Sequence, residues 1–125
     1  MIEKNKLSDA IVCSEQDTIL EVSQILRDSQ TRHIIVLNKE KQPVGIISTV
    51  DINNRVVAEK KDPSKIKAQD IMTKPIAHVD ITSSYDDAYK KMIERGTYSL
   101  PVTEKGKLIG LIDFNLLFKK CKEKA

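Results

Sequence analysis

Apolar positions along the chain come in two spacings, and each spacing occurs twice. Short, nearly continuous apolar runs at Ile34–Leu37, Val44–Ile47, Leu100–Val102 and Leu108–Ile112 predict buried strands. Ahead of each pair of runs, Ile19, Val22, Ile25 and Leu26, then Tyr85, Ala88, Tyr89, Met92 and Ile93, recur every three to four residues and predict a helix with one buried face. Polar connections, Asn38–Pro43 and Thr103–Lys107, turn each strand pair into a hairpin. Sliding the chain along itself shows that these are copies. Thr18 falls on Ser84, Val22 on Ala88, Leu26 on Met92 and Val36 on Val102 at an offset of 66, and after one extra loop residue Gly45 falls on Gly110 and Ile47 on Ile112 at 65.

The helix starts repeat as well. Thr18-x-x-Glu21 and Ser84-x-x-Asp87 have capping-box spacing, in which hydroxyl and carboxylate satisfy free amides of the first turn. Gly96 is placed to end the second helix. A further helix follows each hairpin, from Val50 to about Lys60 and from Asn115 to about Lys122. The charged, proline-containing Lys60–Lys65 stretch joins the copies. The expected fold is therefore α/β, two tandem β-α-β-β-α repeats at 7–60 and 66–123. A repeat of that size buries too little surface alone, so the two are expected to form one compact module with pseudo-two-fold symmetry.

Composition narrows the function. Charged residues make up 31% and apolar ones 40% of the 125 positions, as in a chain that folds. Twenty-one Lys and Arg against 18 Asp and Glu is too even a balance to mark a nucleic-acid or membrane surface. The lysines near Lys60–Lys61 and in Lys119–Lys124 are interrupted by Glu123 or flanked by Glu59 and Asp62, as on a solvated helix end. Cys13 and Cys121 are far apart, so free thiols and a cytoplasmic protein are expected. No apolar run reaches membrane-spanning length. His33, His78 and the two cysteines lack metal-site spacing, and no P-loop, dinucleotide or nucleophile-elbow motif is present. Neither a metal nor an enzyme is expected.

The stretch Gly45-Ile46-Ile47-Ser48-Thr49-Val50-Asp51-Ile52, supported by Asp70-Ile71-Met72-Thr73-Lys74-Pro75-Ile76 and Leu100-Pro101-Val102, resembles the CBS domain, named after cystathionine β-synthase. The duplication over about residues 7–123 is similar to a CBS pair, or Bateman module. The resemblance implies a regulatory, non-catalytic protein that binds AMP, ADP, ATP or S-adenosylmethionine in clefts between the halves, commonly as a homodimer. Because the repeats use up nearly all the chain, a stand-alone sensor acting on a separate, unknown regulated protein is expected. The alternative is a ligand-independent dimerisation module with vestigial clefts.

The family pattern assigns Asp51 to ribose hydroxyls and Ser48 to phosphate. A carboxylate only accepts hydrogen bonds and so suits a pair of hydroxyls, while a residue preceding a helix start suits an anion. Ser48-x-x-Asp51 is also a capping box that needs no ligand, and the two roles are compatible. Arg32 and His33, where related pairs including subunits of AMP-activated kinases present basic residues, are the phosphate candidates. Arg32 can fork onto phosphate oxygens, whereas His33 adds charge only when protonated. Both also fit as solvated residues at a strand end. Carried over in the same way, Ile11, Val12, Cys13, Ile34 and Ile35 would line the adenine pocket, with Lys74 and Pro75 nearby. As apolar residues, Ile11, Val12, Cys13, Ile34 and Ile35 equally suit a core. In the second copy Asp113 stands at the Ser48 position, Leu116 at that of Asp51, and Tyr98-Ser99 at that of Arg32-His33. The ribose acceptor is missing there, and Asp113 reads as a helix cap. One good site, around Asp51, is expected.

Overall fold

A computed structural model describes residues 1–123; the last tail lysine, Lys124, lies outside them. The element order is β1 (Val12–Ser14), α1 (Ile19–Ser29), β2 (His33–Leu37), β3 (Pro43–Ser48), α2 (Thr49–Ile52), α3 (Ala68–Ile71), β4 (Val79–Asp80), α4 (Tyr85–Arg95), β5 (Ser99–Glu104), β6 (Lys107–Asp113) and α5 (Phe114–Glu123), with a 3-10 turn at Lys4–Lys6. Two three-stranded sheets, β1-β2-β3 and β4-β5-β6, each combine a parallel pair with an antiparallel hairpin. The α/β repeat architecture read from the sequence is the observed one.

The helix starts form as their chemistry dictates. Thr18 and Glu21 complete a reciprocal capping box, and Ser84 Oγ accepts from Asp87 N. Gly96 ends α4 in the left-handed conformation at φ 64°, and Gln30 does the same for α1 at φ 56°. The helix expected to run unbroken from Val50 to Lys60 does not. After four α-helical residues it becomes a π turn at Asn53–Val57, closed by Ala58 N donating to Asn53 O at 2.8 Å. This wider turn still delivers Val56 to the core, fully buried.

Two compact units result, Ile11–Ile76, and Met1–Ala10 with the chain from Ala77 onward. They are not the sequence repeats, because the segments leading into the repeats are exchanged. Leu7-Ser8, which opens the first copy, bridges Ser8 to Leu111 of β6; Met72-Thr73, which opens the second, bridges Thr73 to Ile46 of β3. Both bridges carry two backbone hydrogen bonds of 2.8–3.0 Å. Glycines admit these crossings. A Cβ on Gly45 would lie 2.5 Å from Met72 Sδ, and one on Gly110 would lie 2.9 Å from Leu7 Cβ and Ser8 O.

Each unit packs its helices on one face of its sheet. In Ile11–Ile76 the core joins Cys13, Ile34, Val36 and Ile47 to Ile19, Val22 and Leu26 of α1, with Val56, Ala68 and Ile71. The other unit joins Val79, Leu100, Val102 and Ile112 to Ala88 and Met92 of α4, Leu117 of α5 and Ile2. Each fully buried Ile or Leu contributes roughly 1.5–3 kcal/mol relative to exposure.

Candidate functional site

The Asp51 site is built where β3 turns into α2. Ser48 caps the helix: its Oγ accepts from Asp51 N at 3.0 Å, while Asp51 Oδ2 accepts from Ser48 N at 2.9 Å. Thr49 N donates to Arg32 O at 3.0 Å, and His33 pairs with Ser48 in the ladder. The sheet register therefore brings Arg32, His33, Ser48 and Asp51 together at one end of β2-β3. Arg32 and His33 are exposed. The Asp51 side chain is 20% exposed, and its Oδ1 faces the guanidinium of Arg55, 3.6 Å from Nη2.

Both readings of Ser48-x-x-Asp51 thus have a physical basis. The capping box is formed, which engages the amides of Ser48 and Asp51, and Arg32 O engages that of Thr49. Acceptor capacity is left over, because each carboxylate oxygen has two lone pairs and Oδ2 receives one hydrogen bond. The Ser48 hydroxyl accepts from Asp51 N and keeps its own proton to donate.

The adenine-pocket candidates separate onto two faces. Register aligns Val12 with Ile35 and Ile35 with Ile46, and Cys13 with Val36. Cys13 and Ile34 belong to the core on the helix side, and Ile34 is fully buried. Val12 and Ile35 lie in the row on the opposite face. Ile11, half-buried, packs beside the core, and its carbonyl accepts from Ile35 N at 3.0 Å. Lys74 and Pro75 are exposed and joined by a cis peptide. Burial, and secondarily the charge of Asp17, pushes the Cys13 thiol up to about 12.

Sequence reasoning missed Arg55. Its Nη1 donates to Ile71 O at 2.6 Å and to Thr73 Oγ1 at 3.1 Å, and it lines a groove of about 400 Å³ with Asn54, Glu59, Lys61, Asp70, Ile71 and Met72. The available signal was its place four residues after Asp51, where opposite charges meet on a helix.

The corresponding place in the other unit has different chemistry. Asp113 Oδ1 accepts from Leu116 N at 2.8 Å, a helix cap, and Leu116 packs against the core. Tyr98 is 79% exposed and meets Phe114 edge-on, with ring centroids 6.1 Å apart. Phe114 stacks on Phe118 at 5.8 Å. Among the described residues, no group of three or more His, Cys, Asp or Glu could hold a metal ion, and no helix is long and apolar enough to cross a membrane.

Such a fold, with a capped carboxylate at one hairpin end and its duplicate altered, defines a duplicated α/β module. The chain belongs to the CBS domain family, whose pattern matches residues 6–58 and again 68–121. CBS pairs are regulatory modules, often nucleotide-binding. The uncharacterised protein MK0525 of Methanopyrus kandleri is 31% identical over 105 residues, covering 83% of this chain and 54% of that protein. The Arabidopsis thaliana protein CBSCBSPB2 is 27% identical over 90% of this chain and 21% of its own length. This chain thus spans about half, or less, of those relatives. The fold also matches the CBS domain protein PAE2072 from Pyrobaculum aerophilum, solved as a complex with AMP, at a TM-score of 0.75 and 23% identity over 98% of this chain and 99% of that one.

Proposed function

We propose that the unit Ile11–Ile76 binds an adenosine-containing ligand, AMP, ADP, ATP or S-adenosylmethionine, and that occupancy alters the surface offered to a regulated protein. Asp51 carries the reading. Its carboxylate is fixed by Ser48 N, partly exposed, and left with acceptor capacity for two hydroxyls. Arg32 supplies a guanidinium for phosphate, joined by His33 when protonated and by the Ser48 hydroxyl. Val12, the exposed member of its row, offers apolar contact to the base beside the Ile11 backbone, with the buried Ile35 beneath it; Cys13 and Ile34 support that surface from the core side. Lys74 and Pro75 flank it. The AMP complex of PAE2072 lends support through common fold alone.

Exposed Val50 and Val57, 61% and 62% exposed, support assembly of the protein as a homodimer. The rival role is a constitutive dimer that needs no ligand. One experiment separates the two: calorimetric titration of the four ligands into the wild type and Asp51→Ala, with light scattering alongside. Sensing requires submillimolar binding near one ligand per chain, weakened tenfold or more by the substitution, a loss of about 1.4 kcal/mol. No binding by any of the four, with a dimer throughout, leaves the constitutive module.

A further inference from the structure

We infer that Arg55 couples occupancy of the Asp51 site to residues 71–76, the stretch that leads into the other unit; the inference rests on reading Asp51 as the ligand's acceptor. A single guanidinium spans both places. Nη2 lies 3.6 Å from Asp51 Oδ1, and Nη1 donates to Ile71 O and Thr73 Oγ1. The fork is planar and rigid, so its two ends cannot respond independently. At its far end, residues 72–73 lie on β3 through the paired Ile46–Thr73 backbone bonds and through Met72 packed over Gly45. At its near end, hydroxyls donating to Asp51 would share the carboxylate that Arg55 faces. Arg55 itself stands in the π turn Asn53–Val57, a local irregularity of a type frequently found at functional positions. Arg55 is thus a positioning residue whose action runs through Asp51.

A ligand shifts this clasp only by its differential affinity for the two arrangements, and the coupling is reciprocal. The test is amide hydrogen exchange at Ile46 and Thr73, normalised to a core amide of β2, with and without saturating AMP. In the wild type AMP is expected to change both rates threefold or more. In Arg55→Met the change should vanish, and AMP affinity should differ from that of the wild type by the same factor. Arg55→Lys, which keeps the charge without the fork, should bind AMP and still fail to transmit. Equal AMP-induced changes in wild type and Arg55→Met, or binding without any change, overturn the coupling while leaving the Asp51 reading intact. A ligand-free arm separates the two failures. Asp51→Asn should alter Thr73 exchange threefold or more when Arg55 is present and leave it unchanged in Arg55→Met. If that holds while no AMP binds, the Asp51–Arg55–Thr73 link stands and the ligand assignment falls; if it fails too, the link falls with it.

Discussion

The two units share a framework and differ in chemistry at one place. Both carry a capped first helix, a left-handed residue ending it, a hairpin, and a glycine crossed by a segment from the other sequence repeat. Where the last strand meets the following helix they part. One unit presents Arg32, His33, Ser48 and Asp51, and the other presents Tyr98, Ser99, Asp113 and Leu116. All five aromatic residues lie in the second unit, four of them in the ring cluster of Tyr89, Tyr98, Phe114 and Phe118. Apolar spacing, caps and glycines thus satisfy the fold in both units, and it tolerates different chemistry where strand meets helix.

The framework's equivalence breaks first at its glycines. In Gly110→Ala the new Cβ meets Ser8 O and Leu7 Cβ at 2.9 Å. Relief means moving backbone that forms the Ser8–Leu111 pair. In Gly45→Ala the obstacle is Met72, a side chain that can change rotamer. Gly110→Ala is expected to cost about 1–3 kcal/mol and Gly45→Ala measurably less, read from urea denaturation midpoints. Equal costs would mean that both crossings yield alike.

The helix caps sharpen the chemical contrast. Ser48→Ala and Asp113→Ala each remove an acceptor from a first-turn amide, and each should cost about 1 kcal/mol of stability. Only Ser48→Ala should also weaken AMP in the same titration, because its cap holds the backbone around Asp51. If Asp113→Ala weakens AMP as much, the units are functionally equivalent despite Leu116.

Much of this was legible in the sequence, for definable reasons. Strand pairs, helix faces and caps have local signatures, so the hairpins, Thr18, Ser84, Gly96 and the cap at Asp113 could be read from spacing. The exchange of Leu7-Ser8 and Met72-Thr73 could not, since pairing across more than a hundred residues in the first case leaves no local trace. The π turn was hidden because Val50, Val56 and Val57 fit an ordinary helix, and without it Arg55 had no visible partner beyond Asp51. Ile34 and Ile35 are adjacent and equally apolar. Both are buried, and only the observed register sets them on opposite faces of the sheet.

The smallest expected effect tests the two sheets at one matched position. Cys13 pairs with Val36 in β1-β2, and Val79 pairs with Val102 in β4-β5; both first-strand residues are 6% exposed. One is ionisable and the other is not. Burial, then Asp17, holds the Cys13 thiol up to about 12, whereas an unfolded thiol titrates near 8.5. With rising pH the unfolded chain therefore loses a proton that the folded chain keeps, and stability present in full below about pH 8.5 declines toward pH 12. Between pH 7.5 and 8.5 the loss from this group is about 0.4 kcal/mol. Cys13→Val, which gives the first sheet the residue of the second, should abolish that increment in urea titrations at the two pH values while leaving the slopes from other groups unchanged. An identical pH dependence in both proteins would show that the thiol reaches solvent in the folded state.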